Sequence, residues 1–463
     1  MVSLKGEVVS VKISNICLRN YRGFKFFDMH LDSRLTVIVG ENGAGKSSLI
    51  DAFRLLIWSY IRYFSPEAKY VRRPKLVKSD VYGKSSKHCY VYGSMEGNSI
   101  DGWGDEDFPN WIGGFGCVFK GGRTSWVDME LGGDALLKKF DLDLHELGKL
   151  IDPDVRLGNL DVVNLPVICF FDVNRLWVRR RGSRKLPVGS SRLSGYDGAL
   201  NNNSRLFDVN YFIEIMLEKK DVNSSVYDYM SVVSGAVLHV TGWHSVWGKD
   251  LALYYHRGGV YLSFSQLGAG LQSLVLMVSE LAVRCLLLNP HYGKNALDKI
   301  DGIVLVDEID LHLHPGLQQT VLIRMQECFP CVQFIVTTHS PQVLTSVDRE
   351  CIRVIESFSS PDSGERETGL REVEYQTKGV ASSELLSQIM GVRPVPDVKE
   401  ATWLDEYQAL VQQGLWLSKK GVELRNKLDN HFGEGHPVIL ECERMIRLQD
   451  FKIKISKKRE GKS

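Results

Sequence analysis

Gly40-Glu41-Asn42-Gly43-Ala44-Gly45-Lys46-Ser47-Ser48 stands directly after the apolar run Leu35-Thr-Val-Ile-Val39. The stretch satisfies every fixed position of G-x-x-x-x-G-K-[ST]. Leu49, Ile50, Phe53, Leu56, Ile57, Tyr60 and Ile61 then recur at three- and four-residue steps. A buried strand, a glycine loop and an amphipathic helix are therefore expected in that order. The glycines let backbone N–H groups curl around phosphate oxygens, and the start of the helix adds a favourable dipole. Lys46 is placed to reach the β- and γ-phosphates of ATP, and the Ser47 hydroxyl to ligate Mg2+.

A second apolar run, Gly302-Ile-Val-Leu-Val306, delivers Asp307 and Glu308. Two carboxylates at the C-terminal end of a buried strand lie where α/β sheets bind ligands. Asp307 is expected to hold Mg2+ through water, and Glu308 to face the γ-phosphate and polarise the attacking water. A strand ending in Asp-Glu is common by itself. Its pairing with a P-loop makes it specific.

Three further features narrow the class. Ser265-Gln-Leu267-Gly268-Ala269-Gly270-Leu-Gln-Ser273 opens a helix shortly before the second strand. It resembles the ABC-type signature, whose serine and glycine backbone bind the γ-phosphate of ATP held by another protomer, although it departs from the transporter form LSGGQ. His339 ends the strand-like run Phe334-Ile-Val-Thr-Thr338, where ABC ATPases carry a histidine that contacts the γ-phosphate. Asp310-Leu-His312-Leu-His314-Pro315 stands in the place of the D-loop. Its His-x-His spacing lacks further ligands, so zinc is not expected there. This order puts the signature on the far lobe from the P-loop. The expectation is a head-to-tail dimer, with each ATP clamped between Lys46 of one chain and Ser265 to Gly270 of the other. No residue is assigned as the Q-loop glutamine.

Composition sets wider bounds. The chain has 463 residues, above the roughly 250–300 at which single cores stop growing, so a two-lobed unit with an appendage is expected. With 57 basic and 56 acidic side chains the net charge is +1. Nucleic acid or anionic lipid would then have to be met by local patches. Nine scattered cysteines fit reduced thiols in a cytoplasmic protein better than a disulfide framework. Cys328-Phe-Pro-Cys331 has redox or metal spacing without a second pair, and reads as core cysteines. The N-terminus lacks the apolar stretch of a signal peptide. The apolar stretch Leu274–Leu288 is interrupted by Glu280 and Arg284 and is too short for a membrane span.

The fold class expected is α/β, an ABC-type P-loop ATPase head. Residues 1–133 form lobe I, with Walker A and an antiparallel β layer from about residue 80. Residues 134–250 form a mixed helical and loop insertion, and 251–371 form lobe II with signature, Walker B and His339. Within lobe II, 356–371 is polar and turn-rich and reads as a linker. Residues 372–463 form a C-terminal helical region, broken at 433–437 and ending in a frayed basic tail. No heptad pattern persists, so no coiled-coil arm is expected. Arg175, Arg179, Arg180, Arg181, Arg184 and Lys185 surround Trp177, while Arg72, Arg73, Lys75 and Lys78 make a second basic group. Each is either a nucleic-acid contact or a solvated face.

The segment Leu18-Arg-Asn-Tyr21-Arg22-Gly23-Phe24 resembles the RecF, structural-maintenance and OLD-like branch of ABC-type ATPases. So do Val306-Asp-Glu-Ile-Asp-Leu-His-Leu-His-Pro315 and Ile335-Val-Thr-Thr-His-Ser-Pro-Gln-Val343. A fuller set comprises Leu165-Pro-Val-Ile-Cys-Phe-Phe171 with Arg175-Leu-Trp177, Leu267-Gly-Ala-Gly-Leu-Gln-Ser-Leu274, and Glu384-Leu-Leu-Ser-Gln-Ile-Met-Gly391. It is similar to the PtuA-like ATPases of the Septu anti-phage system, a family also found as retron effectors. The resemblance implies a slowly hydrolysing ATP-binding subunit that regulates an HNH-type nuclease partner. Residues 376–450 would then be a docking or oligomerisation region, or a plain helical cap. The chain itself shows no HNH constellation. Three alternatives stay open: a RecF-like or structural-maintenance-like repair ATPase acting directly on DNA, a retron-associated effector, and, more distantly, a transporter ATPase.

Overall fold

The apolar runs that flank the two phosphate motifs lie side by side in one sheet. The computed structural model describes residues 11–61, 76–82, 88–95, 114–120, 123–129, 164–175, 192–196, 198–200, 224–247, 253–359, 366–433 and 435–460. In chain order its strands begin with β1 (Ile13–Tyr21), β2 (Phe24–His30), β3 (Leu35–Gly40), β4 (His88–Met95), β5 (Gly114–Lys120), β6 (Arg123–Met129) and β7 (Val167–Phe171). They continue with β8 (His244–Trp247), β9 (Leu253–Arg257), β10 (Val260–Ser263), β11 (Gly302–Val306), β12 (Val332–Thr338), β13 (Ile352–Ser359) and β14 (Arg366–Arg371).

The central sheet has the order β14-β13-β3-β12-β11-β7. All its strands run parallel except β14, which pairs antiparallel with β13 at the edge. Strands covered on both faces read as unbroken apolar runs. Accordingly β7, β11 and β12 are buried at every residue, and β3 from Leu35 to Val39.

A second, antiparallel sheet has the order β2-β1-β4-β5-β6. This is the expected β layer. Gln333, fully buried in β12, fastens it to the central sheet. Its amide donates to the carbonyls of Ile13 and Asp32, both at 2.8 Å, and its oxygen accepts from the Ile13 N–H at 2.8 Å. A buried glutamine satisfied in this way holds two layers in one register.

The hairpin expected after residue 251 is β9 and β10, joined at its edge by β8. Its two-residue turn is Gly258-Gly259, with φ of 56° and 83°, the left-handed pair that a tight hairpin of this kind demands. Beyond it runs the helix Ala269–Leu288. It is 20 residues long, so length and composition alone would suit a membrane span, but 78% of its apolar window is buried in the fold. Glu280 and Arg284, which interrupt the apolar pattern, are fully buried and paired at 2.6 Å, and Arg284 also donates to the Gly195 carbonyl. Burial pushes the Glu280 carboxyl up while Arg284 opposes the shift.

Three expectations change. Val167–Phe171, in the stretch read as helix and loop, is a strand of the central sheet. A five-residue apolar run cannot be assigned by periodicity. Residues read as a linker supply the end of β13 and all of β14. They are polar because this hairpin closes the sheet edge and meets water. The basic tail is helical rather than frayed, since the last helix runs from Pro437 to Glu460. Arg72, Arg73, Lys75, Trp177, Arg179 to Arg181, Arg184 and Lys185 lie outside the described residues.

Contacts divide the chain into Met1–Leu385 and Leu386–Ser463. In the second unit, helices Lys399–Gln412, Lys419–Phe432 and Pro437–Glu460 enclose Tyr407, Val411, Leu424, Leu428, Ile439 and Cys442. Gly433 ends the middle helix at φ 87°, and Pro437 opens the next.

Candidate nucleotide site

Sheet register brings the motifs together. Val39 of β3 lies beside Thr338 of β12, and Val336 of β12 beside Val306 of β11. Hence the P-loop, His339 and the pair Asp307-Glu308 all leave the same end of three adjacent parallel strands. This is the end at which such sheets take ligands.

The loop needs its glycines. Gly43 and Gly45 sit at φ 80° and 102°, and a Cβ on Gly45 would lie 2.9 Å from the Phe24 ring. Glu41, Asn42, Gly43 and Ser47 face solvent, Ala44 is buried, and Gly40 and Gly45 are half-buried. Lys46 is only 7% exposed. Its ammonium donates to the carbonyls of Gly40 at 2.7 Å and Glu41 at 2.9 Å. Burial lowers its pKa from the ordinary 10.5, against the pull of Asp307, Glu308 and Asp310. Behind the loop, Arg22 of the Leu18–Phe24 segment donates to Ser48 at 3.4 Å, and pairs with Asp51 at 2.8 Å and Asp80 at 2.9 Å.

After β11 the chain turns sharply. Asp307 is buried and its carboxylate accepts from the Thr337 hydroxyl at 2.5 Å, while Glu308, at φ 52°, donates its N–H to the same hydroxyl at 2.8 Å. Asp310 accepts from the Thr338 hydroxyl at 2.5 Å and from the His339 N–H at 3.4 Å. The half-buried Glu308 and His339 therefore hang from backbone fixed by threonines of β12. Gln318 donates to the carbonyls of Asp310 and Leu313, and accepts from Ser340, which closes the D-loop segment onto the strand end.

The signature segment comprises a short turn, Phe264–Gln266, and the start of the helix Ala269–Leu288. Ser265, Gly268 and Ala269 are exposed, whereas Leu267 and Gly270 are buried. Gly268 is the N-cap and brings no side chain to the helix start. Gly270 seats against the His312 carbonyl, where a Cβ would have no room. His312 itself is exposed at φ 61°, and His314 accepts from the Gly316 N–H at 3.2 Å as the cap of the short helix Pro315–Gln318. Among the described residues no group of three metal-ligating side chains forms, at this pair or elsewhere. Cys328 is a core thiol pushed up to about 12 by burial, and the half-buried Cys331 donates to the Asp298 carbonyl at 3.1 Å.

Sequence reasoning misses Arg175. Its neighbours in the chain group it with a surface basic cluster, yet it is 3% exposed and donates to Ser273, Asp307 and Glu308 behind the Walker B turn. Arg175-Leu-Trp177 belongs to the PtuA-like resemblance, but its internal role is readable only once Val167–Phe171 is known to be a core strand.

Residues 15–103 match the family described as "AAA domain", and residues 143–345 the family "AAA domain, putative AbiEii toxin, Type IV TA system". The chain is 46% identical over 412 residues to the "Retron Vc95 probable ATPase" of Vibrio cholerae serotype O1 biovar El Tor, covering 74% of this chain and 73% of that protein. The chain belongs to the retron ATPase family. Its similarity to the "Retron Ec83 probable ATPase" of Escherichia coli is 25% over 502 residues, covering 95% and 88% of the two chains. To the Septu protein PtuA of Bacillus mycoides (strain KBAB4) it is 29% identical over 182 residues, 38% of this chain and 23% of that one. The PtuA-like resemblance thus holds over part of the chain, and the retron ATPases match more of it.

Proposed function

We propose that this retron-family ATPase binds MgATP in two composite sites, formed when two copies meet head to tail, and that nucleotide state controls a separate HNH-type nuclease chain in anti-phage defence. The reading is carried by one observation. P-loop, Asp307-Glu308 and His339 converge at one sheet end, while Ser265, Gly268 and Ala269 of the signature segment face outward, where a second copy could meet them.

In this reading the backbone of Gly40 to Gly45 cradles the phosphates, with Lys46 between the β- and γ-phosphates and Ser48 closing the first helical turn. The Ser47 hydroxyl and the Asp307 carboxylate are the hard oxygen donors that suit Mg2+, which keeps its other positions for water and phosphate. When bound, Mg2+ would neutralise charge on the phosphate oxygens. Glu308 orients and deprotonates the attacking water, His339 contacts the γ-phosphate, and Ser265 with Leu267 to Gly270 of the second copy cover it. Residues 1–133 and 251–371 supply the two lobes, 134–250 supply the insertion apart from strand β7, and 372–463 dock the nuclease or a higher oligomer in the cytoplasm. A repair ATPase gripping DNA directly is the second reading; salt-dependent DNA affinity of the isolated protein, lost on Arg179–Arg181→Ala, would favour it.

The test is Glu308→Gln. With MgATP it should form a stable dimer by sedimentation while turnover falls about 10²–10⁴-fold, the range of a lost general base. Wild-type turnover, or a monomer in saturating ATP, would sink the composite site. Co-expression with an adjacent HNH open reading frame should give nucleotide-dependent DNA cleavage. Cleavage indifferent to nucleotide would remove the regulatory half.

A further inference from the structure

Arg175 makes a network that joins the Asp307-Glu308 turn to the helix Ala269–Leu288. Its Nε donates to the Ser273 hydroxyl at 2.6 Å, one terminal nitrogen to the carbonyls of Asp307 at 2.8 Å and Asp172 at 3.3 Å, and the other to the Glu308 carbonyl at 2.8 Å. Ser273 belongs to the first turns of the signature helix and is 2% exposed. Asp307 and Glu308 form the turn after Walker B. One planar guanidinium therefore locks two elements together in three directions at once.

We infer that Arg175 is a positioning residue that couples the two ATP sites of the dimer, by fixing the Walker B turn of the site in its own chain to the helix whose N-terminus completes the site on the second copy. The inference rests on the composite-site reading given above. Three observations support it. First, the buried cation directs its donors to backbone carbonyls and one hydroxyl instead of a carboxylate. A buried cation held this way is poor at stabilising a fold and good at fixing geometry. Second, only a rigid fork can serve Ser273, Asp307 and Glu308 together; a lysine ammonium cannot span them. Third, Gly270 seats the same helix on the His312 carbonyl of the D-loop, so a shift of the turn must carry the helix start with it. Packed contacts and hydrogen bonds of this kind can carry coupling between two sites when the joined elements have two discrete arrangements. Loading of one site would thus set the position of the surface presented to the other, which is a coupling free energy between sites.

The experiment is the steady-state ATP dependence of hydrolysis for the full-length wild type, Ser273→Ala, Ser273→Thr and Arg175→Lys, together with ATP-dependent dimerisation by sedimentation. The wild type should show a Hill coefficient approaching about 2, the number of coupled sites. Ser273→Ala removes one hydroxyl and leaves the Walker B carbonyls held. Its Hill coefficient should fall to about 1, with ATP binding by the dilute monomer unchanged, and Ser273→Thr should restore cooperativity. Arg175→Lys should behave like Ser273→Ala; where it does not fold, Ser273→Ala alone decides. Wild-type cooperativity in Ser273→Ala overturns the inference. A non-cooperative wild type that still dimerises with ATP overturns it while sparing the composite site. A wild type that fails to dimerise with ATP removes both.

Discussion

The Thr337 hydroxyl donates to the Asp307 carboxylate at 2.5 Å, and the oxygen that does so also receives the Glu308 N–H. One side chain on β12 thus orients both acidic residues delivered by β11. Thr337→Val keeps the shape and removes the hydroxyl, leaving a buried amide and carboxylate without their partner. The expected loss is about 1–3 kcal/mol in a denaturant titration, with a higher Mg2+ concentration for half-maximal hydrolysis. Thr337→Ser should restore both. An unchanged Mg2+ requirement in Thr337→Val would show that this hydroxyl does not orient the metal-binding carboxylate.

Lys46→Ala should abolish nucleotide binding, and ordinary ATP affinity in that variant would refute the P-loop assignment. The effect of pH has a definite sign. Burial lowers the Lys46 pKa, so in the alkaline window below 10.5 the unfolded chain binds more protons than the folded one. The nucleotide-free fold therefore gains stability as pH rises through that window. Phosphate needs the charged form, so ATP binding there takes up a proton and weakens as pH rises. Calorimetry in two buffers of different ionisation enthalpy measures the uptake; none at alkaline pH would contradict the assignment.

Gln333→Leu should detach the β layer from the central sheet at one point. The Ile13 N–H and carbonyl, both satisfied by that amide, would be left buried. The expected destabilisation is about 1–3 kcal/mol, read as a shift in denaturation midpoint. A neutral result would mean that other contacts carry the junction.

Gly270→Ala places a methyl where the His312 carbonyl already lies. The helix start must move, at a cost of about 1–3 kcal/mol for an overpacked site. ATP-driven dimerisation should suffer more than ATP binding by the dilute monomer. Equal losses in both would place the damage in the whole fold rather than in the surface offered to a second copy.

The parts of the fold legible in the sequence are those whose strands are buried on both faces. Leu35–Val39, Gly302–Val306 and Phe334–Val336 read as apolar runs because they lie at the centre of the sheet. The edge hairpin behaves differently. Ile352, Val354 and Ile355 are buried at the start of β13, but from Glu356 onward the strand reaches water. Residues 356–371 are polar for that reason, so membership of the same sheet leaves a linker's signature there. Val167–Phe171 is apolar enough but too short to assign.

In the site, the segments that sequence spacing marks for nucleotide, Gly40 to Ser48, Asp307-Glu308 and His339, leave the same end of adjacent strands. Arg175 is not marked in that way, for a physical reason. Its partners are mostly backbone carbonyls, which leave no trace in residue identity, and its one side-chain partner, Ser273, is 98 residues away.

The hold of Lys46 on the carbonyls of Gly40 and Glu41 has a consequence for which ligands the loop accepts. The ammonium is already solvated by the protein, so an arriving nucleotide must displace two existing bonds before it gains a new one. A nucleoside monophosphate, which presents nothing at the β and γ positions, has no replacement to offer and leaves the lysine where it is. A triphosphate offers anionic oxygens that outcompete neutral carbonyls. In the nucleotide reading proposed above, discrimination by phosphate count would follow from that exchange of partners.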